Sequence, residues 1–398
     1  MNNSPLEFLA KKYENVVKYD AEGNIAGVFV KFKKCKSSDL DSRLPGRTHP
    51  AFIIDGVEQD YILLGKYKAV SNGSSNGAIL SAPNDFPVTA ITADAGWTRV
   101  KKAGQSIMPM TVADYGFIKL LANKLGWEPH GNTACGQDIK DGYTLWTPTG
   151  TASENDIVAY RGYTYKCITT HTKDADHKPS ESPTFWKLID YIGGVAEEFT
   201  NTSTNCATMT GTGPATWYLG DDVGSLADIS GSCMEIMAGY RIVNAEIQIC
   251  ENNDAASPNG FEWKVIKPGS TATNYTLVTA QTNGNTTGAL KWNYVNKKDL
   301  VLDTVATDVV SAGTVKISDI TVNPDNVSAV PIIMYELGLL PLSDAKYDGV
   351  FKFNGLVSTS YVAAGQDSMS NPNSGFFDLE SLNSAKTAKH IGFRPRAI

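Results

Sequence analysis

Three aromatic residues, Trp146, Tyr165 and Trp186, stand at the two ends and the middle of a short, turn-rich stretch. Sugar rings carry an apolar C–H face that stacks on an exposed aromatic plane, so aromatics grouped in this way can form a carbohydrate platform. The same three rings could equally be the core of a very small domain. A second candidate lies near the C-terminus, over residues 354–389, where Asn354, Ser358, Ser360, Tyr361, Gln366, Asn371, Asn373, Asn383 and Ser384 recur. Tyr offers amphipathic area at low entropic cost, and Ser and Asn offer adaptable hydrogen bonds, which is the chemistry of a recognition surface. Catalytic patterns are missing: the chain has no GxSxG, HExxH or P-loop. Asp221-Asp222 and Glu197-Glu198 sit in polar, turn-like surroundings. The six cysteines and five histidines are dispersed, with no CxxC and no zinc spacing, so buried or free thiols are expected, and no catalytic residue, metal or cofactor. Asn252-Asn253-Asp254 reads as turn chemistry in preference to a calcium site.

The elements that would position these residues follow from periodicity. Thr111 is an N-cap candidate with Asp114 at N3, Phe117, Leu120, Leu121 and Leu125 fall at helical spacing, and Gly126 is a stop. A second helix is expected from Ala329 to Leu340, with Pro331 in its first turn and Pro341 just beyond. Strands are expected at 25–30, 60–67, 261–266, 289–294 and 314–317. The composition changes after Gly131-Asn132, so 143–191 reads as a self-contained all-β insert, with the main pattern at 56–142 resuming over 192–398. Residues 1–55 match neither part and are the candidate docking region. Near the end, Phe376-Phe377 and Ile391-Gly392-Phe393 are apolar islands able to pin the polar stretch between them.

Composition limits the partners. With 398 residues, a net charge of −7 and no basic stripe beyond 31–36, the phosphate-neutralising term of nucleic-acid binding is missing. No stretch has the length and apolarity of a signal peptide core or a membrane span, so neither membrane insertion nor secretion by its own leader is expected.

Several passages together resemble one family. They are Met110-Thr111-Val112-Ala113-Asp114 through Leu121-Ala122 with Pro129-His130-Gly131-Asn132; Thr210-Gly211-Thr212-Gly213-Pro214-Ala215-Thr216-Trp217; Gly224-Ser225-Leu226 through Cys233-Met234-Glu235-Ile236 and on to Ile249; and the ending Ile391-Gly392-Phe393-Arg394. This order is similar to phage and prophage structural proteins with a C-type-lectin-like fold, many of them variable targets of diversity-generating retroelements, and to the core of formylglycine-generating enzymes. The resemblance implies an α+β, C-type-lectin-like domain with the small insert, and structural roles for Glu235 and Arg394. It places variable ligand contacts in the stretch before Gly392-Phe393-Arg394. It implies a virion protein, made in the host cytoplasm, that binds a host cell-surface glycan or protein and contacts other virion proteins. Single lectin-like contacts are weak and gain from linked copies, so a homo-oligomer, specifically a trimer, is expected. A structural capsid- or tail-decoration protein is the alternative. The family's Gly-Asn-Val-Trp-Glu-Trp passage reads Gly231-Ser232-Cys233-Met234-Glu235-Ile236 here, without either tryptophan. Formylglycine-type chemistry needs a thiol pair near the C-terminus, and no cysteine follows Cys250, so an enzyme is not expected.

The insert resembles type-3 chitin-binding and carbohydrate-binding modules. The matching residues are Trp146, Asp156-Ile157-Val158-Ala159-Tyr160, Gly162, Tyr165-Lys166-Cys167, His171-Thr172, Pro179, Pro183 and Trp186-Lys187. Where chitin-binding members often carry a Trp pair after the Tyr-Lys motif, this chain has Ile168-Thr169-Thr170-His171.

Overall fold

Thr111 caps the helix Val112–Leu125: its hydroxyl accepts from the Asp114 amide, and the Asp114 carboxylate reaches back to the Thr111 amide. Gly126, at φ 62°, ends it in the left-handed conformation. A computed structural model describes residues 5–73, 77–198, 206–342, 349–365 and 376–398. The architecture is mixed, mostly strands with a few helices.

The helix is buried on nearly every side, beyond the apolar stripe its spacing predicts: Asp114 and Lys119 are buried with it. Lys119 satisfies its charge end by donating to the Gly338 carbonyl at 3.0 Å, and burial pushes its pKa down to about 7 against the opposing pull of Asp378. Gly116 is where the segment around Ile333–Glu336 crosses the helix; a Cβ there would overlap the Glu336 carbonyl and lie 2.7 Å from Leu337 Cα.

Two large sheets flank this core. One has seven strands, in the order 69–71, 79–81, 25–33, 61–65, 395–397 and 107–109, with 16–19 pairing onto 25–33. The C-terminal strand Pro395–Ala397 is thus inserted between Tyr61–Gly65 and Ile107–Pro109. The other has twelve strands, whose central part runs 350–354, 379–383, 360–364, 234–243 and 246–249. Strand 291–295 continues that sheet and brings Trp292 and Tyr294 against Phe351 and Phe353.

Between the sheets lies a buried charge cluster. Glu235 accepts from Arg394 Nη2 at 2.8 Å and from Lys68 Nζ at 2.8 Å, and the Tyr115 hydroxyl donates to its other oxygen. Arg394 Nη1 also donates to the carbonyls of Gly65 and Lys66, each at 2.9 Å, and Nη2 to Ala227 at 2.8 Å. A neighbouring pair joins Arg396 Nη1 to Asp114 Oδ1 at 3.2 Å, with Asn253 Nδ2 donating to the same oxygen at 3.0 Å.

Three expectations need correcting, and two helices fall outside the predicted set. Residues 1–55 do not form a unit of their own: Ile25–Lys33 is an inner strand of the seven-stranded sheet, and Phe29, His49 and Phe52 are fully buried. Ser37 Oγ donates to Glu336 Oε1 at 2.6 Å, and His49 Nε2 sits 3.0 Å from the Glu336 carbonyl, so this region is tied into the core by polar groups as well. The second helix shrinks to Ile333–Glu336, because Gly338 turns left-handed at φ 63° and Ile332 spends its amide on the Ala272 carbonyl. The helices Pro5–Lys12 and Ala93–Lys101 lie outside the predicted elements; both are short, at 8 and 9 residues. Cys135 is disulfide-bonded, while Cys35, Cys167, Cys233 and Cys250 are free thiols.

Acid should lower the protein's stability over two overlapping pH windows. Burial holds the His49 imidazole down at about 3, against an ordinary 6.5, so the neutral ring's contribution is complete above pH 6.5 and falls away as pH drops toward 3. Burial alone would raise the Glu235 carboxyl, but Arg394 and Lys68 outweigh it and hold it at about 2, so its contribution is present above the ordinary 4.5 and is lost as pH falls through 2. Glu235→Gln leaves two buried cations short of a partner and is expected to cost about 3–5 kcal/mol at pH 7, read from urea unfolding. An unchanged midpoint would show that the cluster is not a stabilising centre.

Candidate functional site

The stretch 143–191 builds its own small sheet. Ile157–Tyr160 and Tyr163–Cys167 form a hairpin whose turn residues Arg161 and Gly162 take φ 51° and 85°, and Trp186–Tyr191 pairs along the second strand. A short ladder, 151–152 with 171–172, closes one end. Trp146, Ala152, Val158, Tyr160, Tyr165, Cys167 and Trp186 pack into one cluster.

The predicted platform is therefore the core of this unit. Trp146 is 4% exposed, Tyr165 8% and Trp186 2%, which leaves no ring face for a sugar. Trp186 Nε1 donates to the His177 carbonyl at 3.1 Å, and Trp146 meets Tyr160 edge-on at 5.1 Å. A three-stranded sheet with one covered face has little volume to bury, and only large aromatics can fill it.

Other rings remain accessible. Tyr163 and Tyr191 lie opposite each other in the ladder, their centroids 5.0 Å apart and their planes inclined at 56°. Tyr191 is 42% exposed and its hydroxyl donates to the Thr212 carbonyl, which holds the ring in place. Leu188, Ile189 and Ile157 are exposed nearby on the same three strands, and Tyr143 is exposed at the entry to the unit. At the other end Phe185 is half-buried between His171, at 4.4 Å, and His177, at 4.8 Å. Nothing in residue type distinguished Tyr163 and Tyr191 from Tyr165 beforehand; Tyr163 packs half-buried against the edge of the core, and Tyr191, opposite it in the ladder, is exposed.

The unit is clasped to the rest of the chain by backbone. The amides of Ile192 and Gly193 donate to the Gly162 carbonyl at 2.8 and 3.0 Å, and Gly194 donates to Gly136 at 2.8 Å. A Cβ on Gly193 would overlap the Gly136 carbonyl, so this approach requires glycine. The aromatic face is thus carried on a braced support and not on a loose linker.

Residues 145–187 match the model of carbohydrate-binding module family 5/12. The chain contains such a module, and carbohydrate binding is the activity the module brings. A comparison with curated proteins finds no match. The matched span begins at the entry to the module and ends within its third strand, so it covers the whole aromatic core.

The C-terminal candidate surface is divided by the fold. Gln366, Asn371 and Asn373 lie outside the described residues. Ser360 and Tyr361 are neighbours on the strand Ser360–Ala364 and face opposite sides; Ser360 is 3% exposed and belongs to the interior. Asn354, Ser358 and Asn383 are exposed, and Asn383 Nδ2 donates to Ser358 Oγ at 3.0 Å. Tyr361 instead packs edge-on against Trp97 at 4.6 Å, with its hydroxyl 3.3 Å from Asp94 Oδ1. Glu235 and Arg394 lie in the charge cluster described above, away from any surface.

Trp186→Ala should destabilise the module by about 3–5 kcal/mol, seen as faster amide exchange throughout the 157–167 hairpin. Tyr191→Ala should leave that exchange unchanged. Equal acceleration by both variants would mean that Tyr191 is also a core residue.

Proposed function

We propose that this chain is a non-enzymatic, virion-borne receptor-binding protein of a phage or prophage, whose carbohydrate-binding module attaches to a host cell-surface glycan. The observation that carries the carbohydrate reading is the family 5/12 match over 145–187, on a unit with half-buried Tyr163 and exposed Tyr191 beside its buried aromatic core. The main body is read as a C-type-lectin-like domain, and the Tyr361 face as a ligand surface of its own. What supports this part is the run of family-like passages and the position of its two conspicuous charged residues. Glu235 and Arg394, nearly 160 positions apart, form a buried pair that anchors the C-terminal strand. That is the structural role the resemblance implies for them.

The remaining parts of the reading follow from this one. Attachment by weak sugar contacts gains from several linked copies, which favours a homo-oligomer, with a trimer as the specific proposal. Contacts to other virion proteins are assigned to the N-terminal region, which joins the sheet through Ile25–Lys33 and keeps Phe8 and Leu9 exposed on the helix Pro5–Lys12.

The test is adsorption of the full chain to insoluble β-linked N-acetylglucosamine polymer, to cellulose and to host cells, with and without Tyr163→Ala/Tyr191→Ala. Burying one ring face contributes roughly 1.5–3 kcal/mol, so the double variant should weaken adsorption about ten- to a hundredfold. Retention of full adsorption by the double variant would move the sugar site to another face of the module, such as that of Phe185. A monomeric mass by light scattering, with no copies in purified particles, would overturn the virion assignment.

A further inference from the structure

The Tyr361 face continues across the twelve-stranded sheet as an unbroken run of rings around one cation. Tyr361 lies opposite Arg241 in the strand register. The Arg241 guanidinium sits 4.1 Å over the ring of Trp263, and Phe261 meets Trp263 edge-on at 4.9 Å. On the other side Trp97, from the helix Ala93–Lys101, stands against Tyr361 at 4.6 Å. These residues come from four separate parts of the chain, and Trp97, Tyr361, Arg241 and Trp263 are all half-buried, with Phe261 38% exposed.

Arg241 is held in place and stacked on Trp263, and it makes no direct contact with a carboxylate among the described residues. Its Nε donates to Gln248 Oε1 at 2.8 Å, which fixes the plane of the fork. Among the described residues no carboxylate forms an ion pair with it. The acidic groups around it are otherwise engaged. Glu246 is fully buried and accepts from the Thr286 amide and hydroxyl and from Gln248; Glu262 pairs with Lys264 and accepts from Thr279; and Asp94 takes the Tyr361 hydroxyl. A half-buried, oriented guanidinium whose two terminal nitrogens have no hydrogen-bond partner among the described residues is suited to a planar anion that it can bind through two parallel hydrogen bonds.

We infer that this face is a second saccharide site, selective for sugars that carry a carboxylate, with Arg241 holding the acid group between the rings of Trp263 and Tyr361. The rings take the C–H faces of the sugar, as aromatic planes do for pyranoses. Asp94, beyond the Tyr361 hydroxyl, repels the acid and accepts from sugar hydroxyls, so the ligand lies with its carboxylate toward Arg241 and its hydroxyls toward Asp94. The same chemistry is offered by a uronic acid and by a nonulosonic acid. This inference deepens the reading of the Tyr361 face and rests on it only in that the main body binds a ligand of its own.

The experiment uses the full chain with the module face silenced by Tyr163→Ala/Tyr191→Ala. Binding is measured by calorimetry to oligogalacturonate, to a sialylated lactose and to neutral chitin and cellulose oligosaccharides. At least a tenfold preference for one of the acidic ligands is expected, falling with salt; the better of the two identifies the acid. Arg241→Lys keeps the charge but loses the fork, and should lose at least tenfold on the acidic ligand. Arg241→Gln should abolish the preference. Trp263→Ala should weaken the acidic ligand with no change in amide exchange of the strand Met234–Val243, which separates loss of contact from loss of fold. Equal binding of acidic and neutral sugars, or an acid preference that survives Arg241→Gln, overturns the inference while leaving a ligand site on the Tyr361 face intact. Absence of any saccharide binding once the module is silenced overturns both.

Discussion

A carboxylate buried between two sheets is costly unless its charge and all its lone pairs are answered, and Glu235 is answered from three distant parts of the chain. Lys68 comes from the edge of the first sheet, Tyr115 from the central helix and Arg394 from the C-terminal segment. Arg394 then spends its remaining donors on the carbonyls of Gly65, Lys66 and Ala227. Each partner needs the others in place, so the cluster couples the position of the last strand to that of the helix. The pair of Arg396 with Asp114 repeats the device one pleat further along, on the helix cap itself. Such a centre contributes specificity of arrangement as much as stability, because an alternative packing would leave an uncompensated charge inside.

The module obeys a different limit. Its sheet is too small to assemble a core from aliphatic residues, so Trp146, Tyr160, Tyr165 and Trp186 are consumed in filling it. Residues that look like a sugar platform are what make the unit fold, and the rings that keep open surface are at its edge, half-buried Tyr163 and exposed Tyr191. The glycine clasp at Gly136, Gly162, Gly193 and Gly194 then fixes the orientation of that face with respect to the main body. If the inferred second site binds as well, its fixed orientation would reduce the entropy lost when both sites engage one surface.

Much of the local structure is determined by neighbouring residues alone. The capping box at Thr111 and Asp114, the left-handed stop at Gly126 and the strands near 25, 61, 264, 291 and 312 follow from caps, turns and alternation over a few positions. The module is equally legible, because its matching residues lie within one continuous stretch. Burial and partnership are of another kind. That Lys119 and Asp114 lie inside, that residues 25–33 form an inner strand, and that Ser360 and Tyr361 divide between interior and surface depend on which elements pack against them. The run from Trp97 through Tyr361, Arg241 and Trp263 to Phe261 joins residues up to 264 positions apart, a juxtaposition without local signal. Periodicity reports which face of an element is apolar; only the sheet register and the crossing of the helix decide what that face meets, since those contacts arise from the cooperative burial of the whole chain.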